Sequence, residues 1–202
     1  WGGRGILLGM IPGVPPAEVV ILGAGVVGTY AARAFKGLGA HITVLDNDMD
    51  ALQHIAESLY GVVTMVSTPQ NIQRATAYAD VVIGAVLVSG ERSPILVTRE
   101  MVKAMKPRSV VLDVSIDQGG CFETSRPTTH DNPVYIEEEV THYCVPNMSG
   151  VVARTATHAF VNAAMPYILE LADHGIAKTL ENNPAIALAT SAYLGELRHL
   201  EK

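Results

Sequence analysis

Short apolar runs alternate with amphipathic stretches through the first two thirds of the chain. Continuous apolar runs at 18–22, 41–45, 62–66, 81–86 and 109–114 read as strands. Between them, the stretches 26–38, 48–59, 69–78 and 99–105 have helical periodicity, with Tyr30 and Phe35 expected on the inner face of the first. The strand runs are unbroken rather than alternating, as expected when helices cover both faces of a parallel sheet. This order predicts an α/β fold built on a doubly wound parallel sheet with right-handed crossovers.

After Ile116 the pattern changes. Residues 117–135 are polar and loop-like, and 141–145 read as one more short strand. Residues 154–174 form a long amphipathic helix, with Ala156, Phe160, Ala163, Tyr167 and Leu171 three or four apart. Pro166 should kink this helix and Gly175 should end it. The remainder, 176–202, is expected to hold one or two short helices and a frayed tail. Residues 1–16 are rich in Gly and Pro and read as a connector. The expected organisation is therefore connector 1–16, sheet domain 17–150 and terminal helices 151–202. The sequence starts at Trp1, without an initiator Met or a signal-like segment, which reads as a cut inside a longer protein.

Composition narrows the function classes. With 49% hydrophobic and 17% charged residues, the chain can fill a core, which excludes a disordered segment. A net charge of -6 argues against nucleic-acid partners, since there is no basic surplus for phosphates. The apolar runs are too short to span a bilayer. Cys121 and Cys144 make neither a disulfide framework nor a metal-ligand spacing, so a reducing, cytoplasmic setting and no metal are expected.

The chemistry concentrates after the first strand. Gly23, Ala24, Gly25, Val26, Val27 and Gly28 form a G-x-G-x-x-G turn between a strand and a helix. Gly23 allows the tight turn, Gly25 lets a pyrophosphate reach the backbone, and Gly28 lets the helix pack on the strand. The helix N-terminus adds free N–H groups and the positive end of its dipole. Asp46 ends the second strand, 18 residues beyond Gly28, where a carboxylate can accept both ribose hydroxyls. It opposes a 2′-phosphate, so NAD is favoured over NADP. Asp48 is the better-placed helix cap. The sheet is thus expected to be Rossmann-type. Ligands of such sheets lie at the carboxyl ends of strands, which adds Ser67, residues 84–87 and residues 115–120 as candidates. Asp117, followed by Gln-Gly-Gly, fits a ligand site and an ordinary turn equally well.

Several motifs together resemble the alanine dehydrogenase family. They are Gly2-Gly3-Arg4-Gly5, the glycine-rich turn, Ile83-Gly84-Ala85-Val86-Leu87, and the run from Ile116 to Glu123 (IDQGGCFE). Ser125-Arg126-Pro127-Thr128-Thr129-His130-Asp131 and Tyr143-Cys144-Val145-Pro146-Asn147-Met148 match as well. The resemblance covers essentially the whole chain, and its last three motifs are the specific ones. It implies conversion of L-alanine, NAD and water to pyruvate, ammonia and NADH. It also implies cofactor contacts at Gly23–Gly28, Asp46, Ser67, Val86, Leu87, Asn147 and Met148, an active-site carboxylate at Asp117, and a homo-oligomer. The chain departs from the family at Ala51, where members often carry a basic residue that contacts adenosine. In the family the substrate-binding Arg and Lys and the catalytic His precede the connector, and this chain is expected to lack that domain. His41, His54, His142 and His174 read as surface or core residues.

Two other readings stay open. One is a free-standing NAD(H)-binding module without chemistry, which predicts well-covered terminal helices. The other is a transhydrogenase subunit, which shares the glycine-rich turn but differs after the fifth strand. An enzyme half predicts terminal helices with exposed apolar side chains.

Overall fold

The computed structural model describes residues 3–198. The chain forms two units that divide between Asn147 and Met148. In the first, strands β1 (Glu18–Leu22), β2 (His41–Asp46), β3 (Val63–Val66), β4 (Val81–Gly84), β5 (Val110–Asp113), β6 (Val134–Glu137) and β7 (Val140–Tyr143) form one sheet. Its spatial order is β3-β2-β1-β4-β5-β7-β6. Every pairing is parallel except that of β6 with β7. After β3 the chain returns to the far side of β1 to lay down β4. The strand order therefore reverses at the β1–β4 pair, and such sheets open a crevice there.

Helices α1 (Val26–Gly37), α2 (Met49–Ser58), α3 (Pro69–Tyr78) and α4 (Arg99–Lys103) connect the parallel strands. The pleat of β1 explains why the strand runs are apolar throughout. Val19 and Ile21 join Ala32 of α1 and Leu52 and Ile55 of α2 in one core cluster. Val20 and Leu22 join Ile72 and Ala75 of α3 and Val102 of α4 in another. Each face of the sheet thus has its own core, and alternate residues of one strand serve both. Helix starts follow local chemistry. Asp48 accepts from the N–H groups of Asp50 and Ala51, Thr68 from that of Asn71, and Thr98 from that of Met101.

Several expectations need correction. Tyr30 does not face the core; it is exposed, with the Arg33 guanidinium over its ring. The fourth strand ends at Gly84 rather than at 86, because the Val86 N–H turns aside to a serine hydroxyl. The fourth helix stops at Lys103, where Ala104 caps it. The polar stretch 117–135 is not all loop: a 3-10 turn spans Val114–Gln118, and β6 begins at Val134. The β6–β7 connection holds Glu138 and Glu139 at φ 51 and 61. Glycine or asparagine is the usual signal for that turn, and neither is present.

The second unit, described by itself, opens with a 3-10 turn (Met148–Val152). Helices α5 (Ala153–His174), α6 (Ile176–Asn182) and α7 (Pro184–Ala189) follow, then a two-residue hairpin of β8 (Ala192–Tyr193) and β9 (Glu196–Leu197). Gly175 ends α5 at φ 74, and Asn183 caps α7 while donating from Nδ2 to Glu170 Oε2 at 2.6 Å. The small hairpin was not expected. The end of the tail, 199–202, lies outside the described residues. The expected apolar stripe of α5 is not buried: Phe160 is 71% exposed and Tyr167 46%. Among the described residues, no helix is long and apolar enough to cross a membrane.

Candidate functional site

The glycine-rich turn leaves β1 at the crevice. Gly23 has φ +107, and a Cβ there would run into the Ala85 carbonyl. A Cβ on Gly28 would collide with the Gly23 carbonyl, so α1 can approach the turn this closely only without a side chain at 28. Gly25 differs. A Cβ there meets no protein atom within 4 Å, and its φ is -68. The space above Gly25 is groove, not protein. Gly25 is also the N-cap of α1, and no side chain caps the helix. The first N–H groups of α1 are thus left for something outside the chain's own helix.

Asp46, at the end of β2, accepts from the Ala24 N–H at 2.6 Å with one oxygen and from the Asp48 N–H at 2.8 Å with the other. It therefore anchors the glycine-rich turn, and its carboxylate keeps lone pairs for two further donors. Ser67 follows β3, with its N–H on the Asp46 carbonyl at 3.0 Å. Gly25, Val26, Val27, Asp46, Ser67, Val86 and Leu87 share a groove of about 470 Å³, to which Gly23 also contributes. Ala24 is buried beneath the turn, and Gly28 is buried in α1. A second section of about 230 Å³ shares Val27, Ala85, Val86 and Leu87 and extends to Ser115, Asp117 and Gln118. The two sections make one groove across the carboxyl ends of the strands, with Asp46 at one end and Asp117 at the other.

Asp117 is exposed in the 3-10 turn after β5 and accepts from the Asn147 N–H at 2.9 Å. Asn147 takes φ 51, so the left-handed turn aims its N–H at this carboxylate. These two residues, 30 apart in sequence, are brought together. Met148 opens the second unit. Ala51 lies on α2 and packs against one core cluster, so it offers no cation to the groove.

Sequence reasoning missed the group beneath Asp117. Asp113 is fully buried at the end of β5. It accepts from the Ser125 hydroxyl at 2.6 Å and from the N–H groups of Ser115 and Cys121 at 3.0 Å. Burial lifts its pKa above the ordinary carboxylate range, and these hydrogen bonds only partly pull it back. Gly120 is required here too, since a Cβ would meet the Asp113 carboxylate at 2.7 Å. The signal available in the sequence was an aspartate closing an apolar strand, overshadowed by Asp117 four positions on.

Two of the histidines, His142 and His41, are held by contacts within the protein. His142 is buried in β7, its Nε2 2.8 Å from Thr124 Oγ1 and its Nδ1 3.0 Å from the Val140 carbonyl. A carbonyl only accepts, so the proton sits on Nδ1 and Thr124 donates to Nε2. Burial pulls the His142 pKa below its ordinary value. Arg126 stacks over Tyr135, 3.9 Å from the ring centre, and His41 pairs with Glu18. No group of three or more His, Cys, Asp or Glu that could hold a metal occurs among the described residues.

The chain is similar to known proteins in sequence and fold. The family model "Alanine dehydrogenase/PNT, C-terminal domain" matches residues 1–200. The chain is 48% identical to an alanine dehydrogenase of Mycobacterium tuberculosis over 97% of its own length and 53% of the relative's. A solved L-alanine dehydrogenase superposes with a TM-score of 0.88 at 46% identity, covering 98% of this chain and 55% of that one. A transhydrogenase from Sinorhizobium meliloti superposes with a TM-score of 0.72 at 28% identity, over 81% of this chain and 48% of that one. The chain spans about half the length of the curated relatives it matches. It belongs to the alanine dehydrogenase/PNT family and corresponds to that family's C-terminal domain.

Proposed function

We propose that this chain is the NAD-binding half of an alanine dehydrogenase, acting in the cytoplasm. The observation that carries the reading is the continuous groove from Asp46, over the uncapped start of α1, to the Asp117–Asn147 contact. The residues present fit the cofactor. Gly25 leaves room for a pyrophosphate, and the first N–H groups of α1 can donate to it. Asp46 accepts from the adenosine ribose and disfavours a 2′-phosphate. Ser67 lines the adenosine end, while Val86, Leu87 and Asn147 serve the nicotinamide end.

The reaction is L-alanine, NAD⁺ and water to pyruvate, ammonium, NADH and a proton. When bound, the nicotinamide ring supplies the acceptor for the hydride that leaves the alanine Cα. Asp117 does the work this chain adds there. Its carboxylate stabilises the ammonium and then the iminium of the substrate, and it orients the water that hydrolyses the iminium. The Asn147 N–H holds that carboxylate in place. The exposed apolar side chains of α5 favour this reading over a free-standing module, whose terminal helices would be covered. They also support a homo-oligomer, which light scattering on the purified protein would reveal. Two buried, unpaired cysteines suit a reducing compartment.

The test separates the two ends of the groove. Asp117→Asn should bind NADH within about threefold of the parent, because the change removes one charge at an exposed site. In the enzyme assembled with the family's substrate-binding half, it should also abolish alanine-dependent reduction of NAD. An Asp117→Asn protein that turns over alanine normally would remove Asp117 from the chemistry.

A further inference from the structure

The end of β4 is held in a way that a plain strand would not need. Gly84 is the last residue in register, between Leu22 and Asp113, and the Ala85 N–H still donates to the Leu22 carbonyl at 2.8 Å. The next N–H, that of Val86, leaves the ladder and donates to Ser115 Oγ at 2.9 Å. The Val86 carbonyl accepts from Ser93 Oγ at 3.2 Å. Both serines are buried, at 3% and 7% exposure. They are fixed in turn: the Ser93 N–H donates to the Gln118 carbonyl, and the Ser115 N–H to Asp113, each at 3.0 Å. Two segments of the chain therefore close on a single residue, one hydroxyl on its N–H and one on its C=O.

Backbone groups at a strand end beside a groove are otherwise left to water or ligand. Here the N–H is used and the carbonyl already accepts one hydroxyl, although Val86 lines both sections of the groove. What Val86 offers a bound molecule is chiefly an apolar side chain on a backbone held at both its N–H and its carbonyl. We infer that Ser115 and Ser93 are positioning residues that hold Val86 as a rigid apolar shelf where the two groove sections meet. They thereby set how the nicotinamide half of a dinucleotide lies against Asp117. This inference rests on the NAD reading above. The adenosine half, at Asp46 and Ser67, is not held by this pair.

The experiment titrates the 202-residue chain with NADH and with ADP-ribose, which has no nicotinamide ring, in the parent, Ser115→Ala and Ser93→Ala proteins. Losing a buried hydrogen-bond partner predicts a roughly tenfold weaker NADH affinity for Ser115→Ala and about threefold or more for Ser93→Ala. ADP-ribose affinity should stay within about twofold in both. Thermal unfolding shows which variants are folded; if Ser115→Ala is not, Ser93→Ala decides. Variants that bind both nucleotides as the parent does, or that lose both in parallel, would overturn the positioning role alone. A parent chain that binds neither nucleotide would overturn the NAD reading and this inference with it.

Discussion

Asp113 and Asp117 stand four residues apart in opposite surroundings, and the difference decides what each can do. Asp117 is exposed at the groove, whereas Asp113 is buried under three donors. Asp113→Ala should cost about 3 kcal/mol, because buried donors lose their acceptor; urea unfolding measures it. A loss below about 1 kcal/mol would mean that water or a local shift replaces the carboxylate. His142 gives a pH prediction. Burial lowers its folded-state pKa below 6.5, so below that pH the unfolded chain takes up a proton that the folded one resists. Stability from this group is complete above pH 6.5 and declines as the pH falls toward the lowered pKa. His142→Phe should flatten that slope in unfolding curves recorded from pH 7 to pH 5, whatever it does to stability at neutral pH; an unchanged slope would assign the effect to other groups. The placement of Asp46, and of the three glycines at the start of α1, was legible, because such a turn and a strand-ending aspartate have a fixed spacing. The sequence could not reveal Asp113, since nothing in one aspartate closing an apolar strand says that Ser125 and Cys121 will fold back onto it.

At the scale of elements, the proposed function divides the work of the glycine-rich turn between folding and binding. Gly28 and Gly23 are needed by the protein, because a side chain at either would strike backbone carbonyls. A Cβ on Gly25 meets only open groove, so under the proposed function its lack of a side chain serves the bound nucleotide. Gly28→Ala should therefore destabilise the fold by about 1–3 kcal/mol through overpacking. Gly25→Ala should cost less than about 1 kcal/mol, the usual range for a change at a helix N-cap, and should lose NADH binding. Calorimetry and titration of the two variants check this division. A Gly25→Ala protein that binds NADH normally would remove the pyrophosphate from that position. The alternation of strand and helix was legible for a related reason, since strands buried on both faces must be apolar throughout. The end of β4 and the start of β6 were not. A distant serine sets the first, and the second is joined to β7 through two glutamates in left-handed conformations.

At the scale of the whole molecule, the chain matches about half the length of its relatives, and α5 buries no residue. The amphipathic pattern of 154–174 foretold the helix but not what its apolar side meets. A single sequence carries no record of surfaces contributed by other chains or domains. The groove proposed for the cofactor is different, since every element that builds it from Gly23 to Asn147 lies within the first unit. Under the proposed function, this chain therefore binds the nucleotide itself, with selectivity set at Asp46. The most direct measurement is fluorescence titration of the purified chain with NADH and with NADPH, repeated on Asp46→Ala. Saturable NADH binding, with NADPH at least about tenfold weaker and the preference lost in the variant, is the predicted result. Equal affinity for both nucleotides in the parent, or NADH binding unaffected by Asp46→Ala, would contradict it.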